Sequence, residues 1–266
     1  MSASVRSLWA SVLTLTMGAA AVLGLAQPAS AAGDAYVALG DSYSSGVGAG
    51  SYTSDSGDCK RSTKAYPSLW AAANAPSSFT FVACSGATTT SVSSGQLGAL
   101  ASSATLVSVT AGGNDVGFAD VMQTCVLQSQ ANCVSRVNTA VSQMQSSLPG
   151  KLDSLYGNIR ARAPQARVVV LGYPRFYRIS GSCIAGLTET ERSAINNASD
   201  VLNGVMAKQA ANAGFTFSNV VDEFTGHELC SGDAWLHSVS VPIINSYHPK
   251  AVGQSGGYLP AFRSVA

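Results

Sequence analysis

Tyr36-Val37-Ala38-Leu39 followed by Gly40-Asp41-Ser42-Tyr43-Ser44-Ser45-Gly46 is the stretch whose reading decides the fold. Four consecutive apolar residues with no polar alternation read as a strand buried on both faces. The Gly/Ser run behind them ends that strand and delivers Ser42 just beyond its carboxyl end. The run is not a Gly-x-Ser-x-Gly elbow, because Ser44 stands where the second glycine belongs. Nor is it a phosphate loop, since no Gly-Lys-Ser/Thr follows.

Four further runs share the composition of buried strands: Phe79 to Ala83, Thr105 to Thr110, Arg167 to Gly172 and Phe215 to Val221. The segments between them read as helices. Thr188 to Ala213 opens with Thr188-x-x-Glu191, a capping box, carries Ile195, Ala198, Leu202 and Met206 at helical spacing, and meets Gly214. Cys133 to Tyr156 reads as one helix with Val137, Val141, Met144 and Leu148 on a stripe, and Tyr66 to Asn74 as a shorter one. Strand and helix in alternation predict a parallel sheet covered on both faces. In such sheets ligands bind outside the carboxyl ends of the strands.

The second strand runs into Ala83-Cys84-Ser85-Gly86-Ala87, and the third into Ala111-Gly112-Gly113-Asn114-Asp115. A glycine lets a backbone N–H approach a ligand closely, and an asparagine side chain supplies two donors. Only three histidines exist, His227, His237 and His248. His248 follows the fifth strand in Asn245-Ser246-Tyr247-His248-Pro249, so it reaches the same sheet edge as Ser42. A serine needs such a base to act as a nucleophile at neutral pH. The other two flank Cys230 and read as loop-packing residues.

Arg6, the apolar stretch Leu8 to Ala26, Pro28 and Ala29-Ser30-Ala31 follow the order of a secretory signal peptide over residues 1–31. Residues 32–266 then form one domain, expected to be exported. Formal net charge is +1, which gives no electrostatic argument for nucleic acid or for stable membrane insertion. Charged residues are 11% of the chain, against ~25% in ordinary soluble domains, so Ser, Thr, Asn, Gln and Gly build the surface. Six cysteines, Cys59, Cys84, Cys125, Cys133, Cys183 and Cys230, suit an oxidising compartment. They allow fifteen connectivities; pairing in sequence order is the expectation. No C-x-x-C or H-x-x-x-H spacing supports zinc, and Asp55 and Asp58 belong to no EF-hand-type loop. Neither metal nor cofactor is expected.

Gly40-Asp41-Ser42, Gly86, Gly112-Gly113-Asn114-Asp115 and His248-Pro249, in that order, resemble the blocks of the SGNH (GDSL) hydrolases. The match is to the secreted bacterial lipase, esterase and phospholipase A branch. The resemblance covers Tyr36 to about Tyr258. It implies a flavodoxin-like α/β/α sandwich on a five-stranded parallel sheet, stapled by three disulfides. It also implies Ser42 as nucleophile, His248 as base, and an oxyanion hole formed by the Ser42 and Gly86 amides and the Asn114 side chain.

One position departs from the pattern. Many relatives carry an aspartate three residues before the histidine, where this chain has Asn245. A backbone carbonyl, of Asn245 or Ser246, is the expected partner for His248 Nδ1–H, because a carbonyl only accepts and so enforces the right tautomer. Asp222 is the nearest upstream acid. Val116, Phe118, Val121, Met122, Tyr173, Phe176, Tyr177 and Ile179 supply apolar surface for an acyl groove or a transient lipid contact. The expected substrates are fatty-acyl esters, including phospholipids, hydrolysed by a monomer. A carbohydrate acetylesterase is the alternative, and an inactive secreted binding module the remote one.

Overall fold

A computed structural model gives the conformation of residues 1, 33–181, 183 and 186–266. The expected signal peptide lies, save for Met1, outside these described residues. Tyr36, Val37, Ala38 and Leu39 are all buried, so β1 (Ala35–Gly40) needs cover on both faces and sits inside the sheet. After β1 come α1 (Ser42–Ser45), α2 (Tyr66–Asn74), β2 (Ser78–Phe81), α3 (Thr89–Gly95) and β3 (Leu106–Thr110). Then follow α4 (Phe118–Leu127), α5 (Gln130–Ser146), α6 (Leu148–Arg162), β4 (Arg167–Leu171), α7 (Glu189–Asn212), β5 (Thr216–Ser218) and α8 (Val221–Phe224). All four strand pairings are parallel, in the order β2-β1-β3-β4-β5. That is the flavodoxin-like order, whose binding crevice lies where the winding reverses beside β1 and β3.

Helices α5, α6 and α7 pack on one another to cover one face of the sheet, and α2 packs with the C-terminal helix Leu259–Arg263 on the other. Tyr36 links sheet to helix there: its ring meets Trp70 of α2 edge-on and stacks with Phe262. Its hydroxyl shares a 2.7 Å hydrogen bond with Ser108 of β3. Such contacts let an aromatic side chain bury its ring while its polar atom stays satisfied.

Three disulfides join Cys59 to Cys84, Cys125 to Cys133 and Cys183 to Cys230. The first holds the loop after β2, where the Ser85 amide also donates to the Cys59 carbonyl at 3.1 Å. The second ties α4 to α5. Among the described residues no helix is long and apolar enough to cross a membrane.

Three elements differ most from those expected. The fifth strand is only Thr216–Ser218; the chain then turns, with the Asn219 side chain accepting the Val221 N–H at 3.1 Å, and α8 begins at Val221. The single helix expected over 133–156 is two, α5 and α6, separated at Ser147. Pro149 lies in the first turn of α6, where its missing N–H costs nothing. Residues 118–127, which were assigned no helix above, form α4.

Candidate active site

Gly40 ends β1 with φ +123°, and a Cβ there would stand 2.5 Å from the Thr110 carbonyl oxygen. Only glycine lets the chain turn this close to β3. Gln96, buried, fixes the turn: its Oε1 accepts the Gly40 N–H and its Nε2 donates to the Gly40 carbonyl, both at 2.8 Å. Asp41 then caps α1, its Oδ1 accepting the Tyr43 N–H at 2.9 Å, and Ser42 is the first helical residue.

His248 arrives from the far end of the chain. It sits at the root of a two-stranded ribbon in which Leu236 bridges Pro249 and the His237 N–H donates to the His248 carbonyl at 2.9 Å. The Tyr43 hydroxyl donates to the Tyr247 carbonyl at 2.7 Å, which ties the ribbon to the turn after Ser42. A Cβ on Gly48 would lie 3.1 Å from the His248 Cβ, so glycine there admits the ribbon. His237 packs in the same seam, with Nε2 2.9 Å from the Gly48 carbonyl. His227 stacks on Trp235.

The result is a 2.7 Å hydrogen bond between Ser42 Oγ and His248 Nε2. Burial pushes the His248 pKa down to about 4, opposed by the backbone carbonyls of Ser246 and Ile244. The imidazole is therefore neutral at neutral pH, the form that can take a proton from a hydroxyl. Its Nδ1 is buried and, among the described residues, closes no hydrogen bond of normal geometry. The Ser246 and Ile244 backbone carbonyls favour the protonated ring, and no hydrogen bond joins either to Nδ1 among the described residues.

Asn245 is engaged elsewhere. Its carbonyl accepts the His248 backbone N–H at 3.1 Å, and its Oδ1 accepts the Tyr52 hydroxyl at 3.4 Å. Neither of the two residues expected at Nδ1, Asn245 or Ser246, closes a hydrogen bond to it among the described residues. Asp222 makes no hydrogen bond to His248 among the described residues.

Gly86 follows β2 with φ +77° and open space beside it. Among the described residues the Ser42 and Gly86 amides donate to no other protein group. Asn114 follows β3; its Nδ2 donates to the Ala87 carbonyl at 3.0 Å, which holds the amide beside the Gly86 loop with one N–H still free. Asp115 anchors this turn by accepting from the Thr89 N–H and hydroxyl at 2.9 and 2.8 Å. Ser42, Gly86, Asn114 and His248 all line one cleft of about 650 Å³. Three donors around a serine–imidazole pair can stabilise an oxyanion formed on the serine's target carbon.

Of the apolar residues singled out above, Phe118 and Met122 line this cleft. Val116, Val121, Tyr173 and Phe176 line a smaller chamber of about 50 Å³ behind Ser42. Tyr177 is buried, with its hydroxyl 3.3 Å from that of Tyr247, and Ile179 borders neither space. The sequence reading gave no role to Asp41, Gln96, Tyr43 or Asp115, whose partners are distant in sequence. Asp41 alone carried a local signal, as an N-cap type directly before Ser42.

Against known proteins, the GDSL-like lipase/acylhydrolase family matches residues 38–255. The chain is 62% identical over 261 residues to Lipase 1 of Streptomyces coelicolor, covering 96% of each. It resembles the crystal structure of phospholipase A1 from Streptomyces albidoflavus, with 65% identity and a TM-score of 0.87 over 88% of this chain and all of that one. An extracellular lipase from Streptomyces rimosus superposes with the same TM-score at 58% identity, over 88% of this chain and all of that one. On these matches, with its flavodoxin-order sheet, the chain belongs to the GDSL-like lipase/acylhydrolase family of carboxylic-ester hydrolases.

Proposed function

We propose that the chain is a secreted serine hydrolase of fatty-acyl esters, phospholipids among them. The observation that carries this is the 2.7 Å contact of Ser42 Oγ with a neutral His248 at the floor of an apolar cleft. In this reading His248 Nε2 takes the Ser42 proton as Oγ attacks the ester carbonyl. The carbonyl oxygen, now negative, accepts from the Ser42 and Gly86 amides and from Asn114 Nδ2. Collapse expels the alcohol, which receives the proton from His248, and water repeats the cycle on the acyl-enzyme.

Among the described residues no carboxylate hydrogen-bonds to His248. The Ser246 and Ile244 backbone carbonyls favour the protonated ring and so steady the imidazolium as it forms; a proton held on Nδ1 leaves Nε2 as the acceptor toward Ser42. Export is supported by the leader-like residues 1–31, the three bridges and the extracellular relative.

The wide, apolar cleft favours fatty acyl groups over acetate, which needs far less room. Hydrolysis of p-nitrophenyl esters across acyl lengths, with Ser42→Ala alongside, tests the reading. Preference for medium or long chains and a silent Ser42→Ala support it. Cleavage of acetate alone moves the assignment to the acetylesterase reading, and no cleavage by folded protein leaves the binding-module reading.

A further inference from the structure

Among the described residues, large apolar side chains are exposed in one part of the molecule more than elsewhere. Residues 238–246 form the tip of the ribbon rooted at His237 and His248. On this tip Val241 is 99%, Ile243 73%, Val239 51% and Ile244 39% exposed. Leu127, at the end of α4, is 71% exposed. Val239, Ile243, Ile244 and Leu127 all line the cleft that holds Ser42, so the exposed residues form its rim. Such contiguous apolar exposure marks an interaction surface.

The charge pattern narrows the partner. Neither 236–249 nor 121–135 contains an Asp, Glu, Lys or Arg. A rim without charge selects an apolar surface and offers nothing to an anionic headgroup. Its position narrows the partner further: a protein or a second copy seated on the rim would stopper the cleft, whereas a lipid surface would feed it.

We infer that the 238–246 tip and Leu127 dock the enzyme on an uncharged lipid surface, with the cleft opening directly onto the ester layer. This rests on the ester-hydrolase reading and adds where, and through which residues, the substrate is met. Val241 does not line the cleft, so it reports docking separately from chemistry.

The test uses phosphatidylcholine vesicles and the mature chain. The Ser42→Ala protein is expected to sediment with the vesicles, with an affinity that added salt does not lower. Val241→Asp in that background should weaken binding about tenfold or more, and Val241→Trp should tighten it. In the active chain, Val241→Asp should slow hydrolysis of vesicle lipid by a similar factor and leave dissolved p-nitrophenyl butyrate unaffected. Unchanged vesicle binding in both variants, or equal loss on both substrates, overturns the inference. A dimer in sedimentation velocity that Val241→Asp dissolves also overturns it, by giving the rim to a second copy. If the wild type cleaves no dissolved ester, the hydrolase reading fails, while vesicle sedimentation still tests docking.

Discussion

The Tyr173 hydroxyl donates to the Asp41 carboxylate and accepts the Gly113 N–H at 3.2 Å. One phenol just past β4 thus joins the cap that places Ser42 to the turn that places Asn114. Burial pushes the Asp41 pKa up to about 7, against the pull of the Tyr173 hydroxyl and the Tyr43 and Ser44 amides. It pushes Tyr173 well above its ordinary value, with the nearby Asp41 adding to the rise.

Removing that oxygen breaks the link while keeping the ring. Tyr173→Phe is expected to lower stability by about 1–2 kcal/mol and kcat by roughly tenfold, with KM little changed because the cleft lining is intact. Steady-state kinetics on a dissolved ester and the urea midpoint check this; a stability loss with unchanged kcat would assign Tyr173 to the core alone.

The pH dependence follows from His248. Its pKa in the fold, about 4, lies below the ~6.5 of free imidazole. The active, neutral form therefore persists as pH falls through 6.5 and is lost only as pH approaches the folded value. The acid limb of kcat/KM should accordingly lie well below pH 6.5, measured with brief assays so that unfolding does not intrude. An acid limb at 6.5 would contradict the burial of this imidazole.

Asn114→Ala removes one of the three donors proposed for the oxyanion, and with it the hydrogen bond to Ala87. The expected loss is about a hundredfold in kcat, with KM nearly constant, since the interaction strengthens only in the transition state. Circular dichroism and the thermal midpoint separate this from misfolding.

Asn245→Ala should retain most activity, because the Asn245 carbonyl on the His248 amide is backbone and survives the change. Only the long bond from Tyr52 to its Oδ1 disappears. A thousandfold loss at unchanged fold would make that side chain, rather than the carbonyls of Ser246 and Ile244, the group that orients the imidazole.

The parts of the fold legible in sequence were those written in local pattern. Thr188 and Glu191 form the expected capping box at the start of α7, and Tyr36 to Leu39 lie buried in the sheet as an unbroken apolar run requires. Helix α4 was missed although Phe118, Val121, Met122 and Cys125 keep helical spacing, because Gly112, Gly113 and Gly117 frame the segment as loop. The α5–α6 break was missed because Leu148 and Leu152 continue the apolar stripe past Ser147.

In the candidate site, Ser42, Gly86, Asn114 and His248 were expected together because each follows a strand or its connection and strand ends share one edge, and the four line one cleft. Tyr173 and Gln96 were not. Their hydrogen bonds to Asp41 and Gly40 span 132 and 56 residues, and no local pattern in a sequence encodes a partner that far away. The contribution of the Ile244 backbone to the His248 environment was also not expected, because it depends on how the chain turns before His248 rather than on residue type.

The most direct test of the central claim is labelling of the folded, mature chain with an alkyl fluorophosphonate, followed by peptide mass spectrometry. One adduct per chain is expected, on Ser42, formed in step with loss of esterase activity. The labelling rate should collapse in His248→Ala, and no adduct should form in Ser42→Ala. An adduct on another serine that tracks inactivation, or undiminished esterase activity in Ser42→Ala, would contradict that claim.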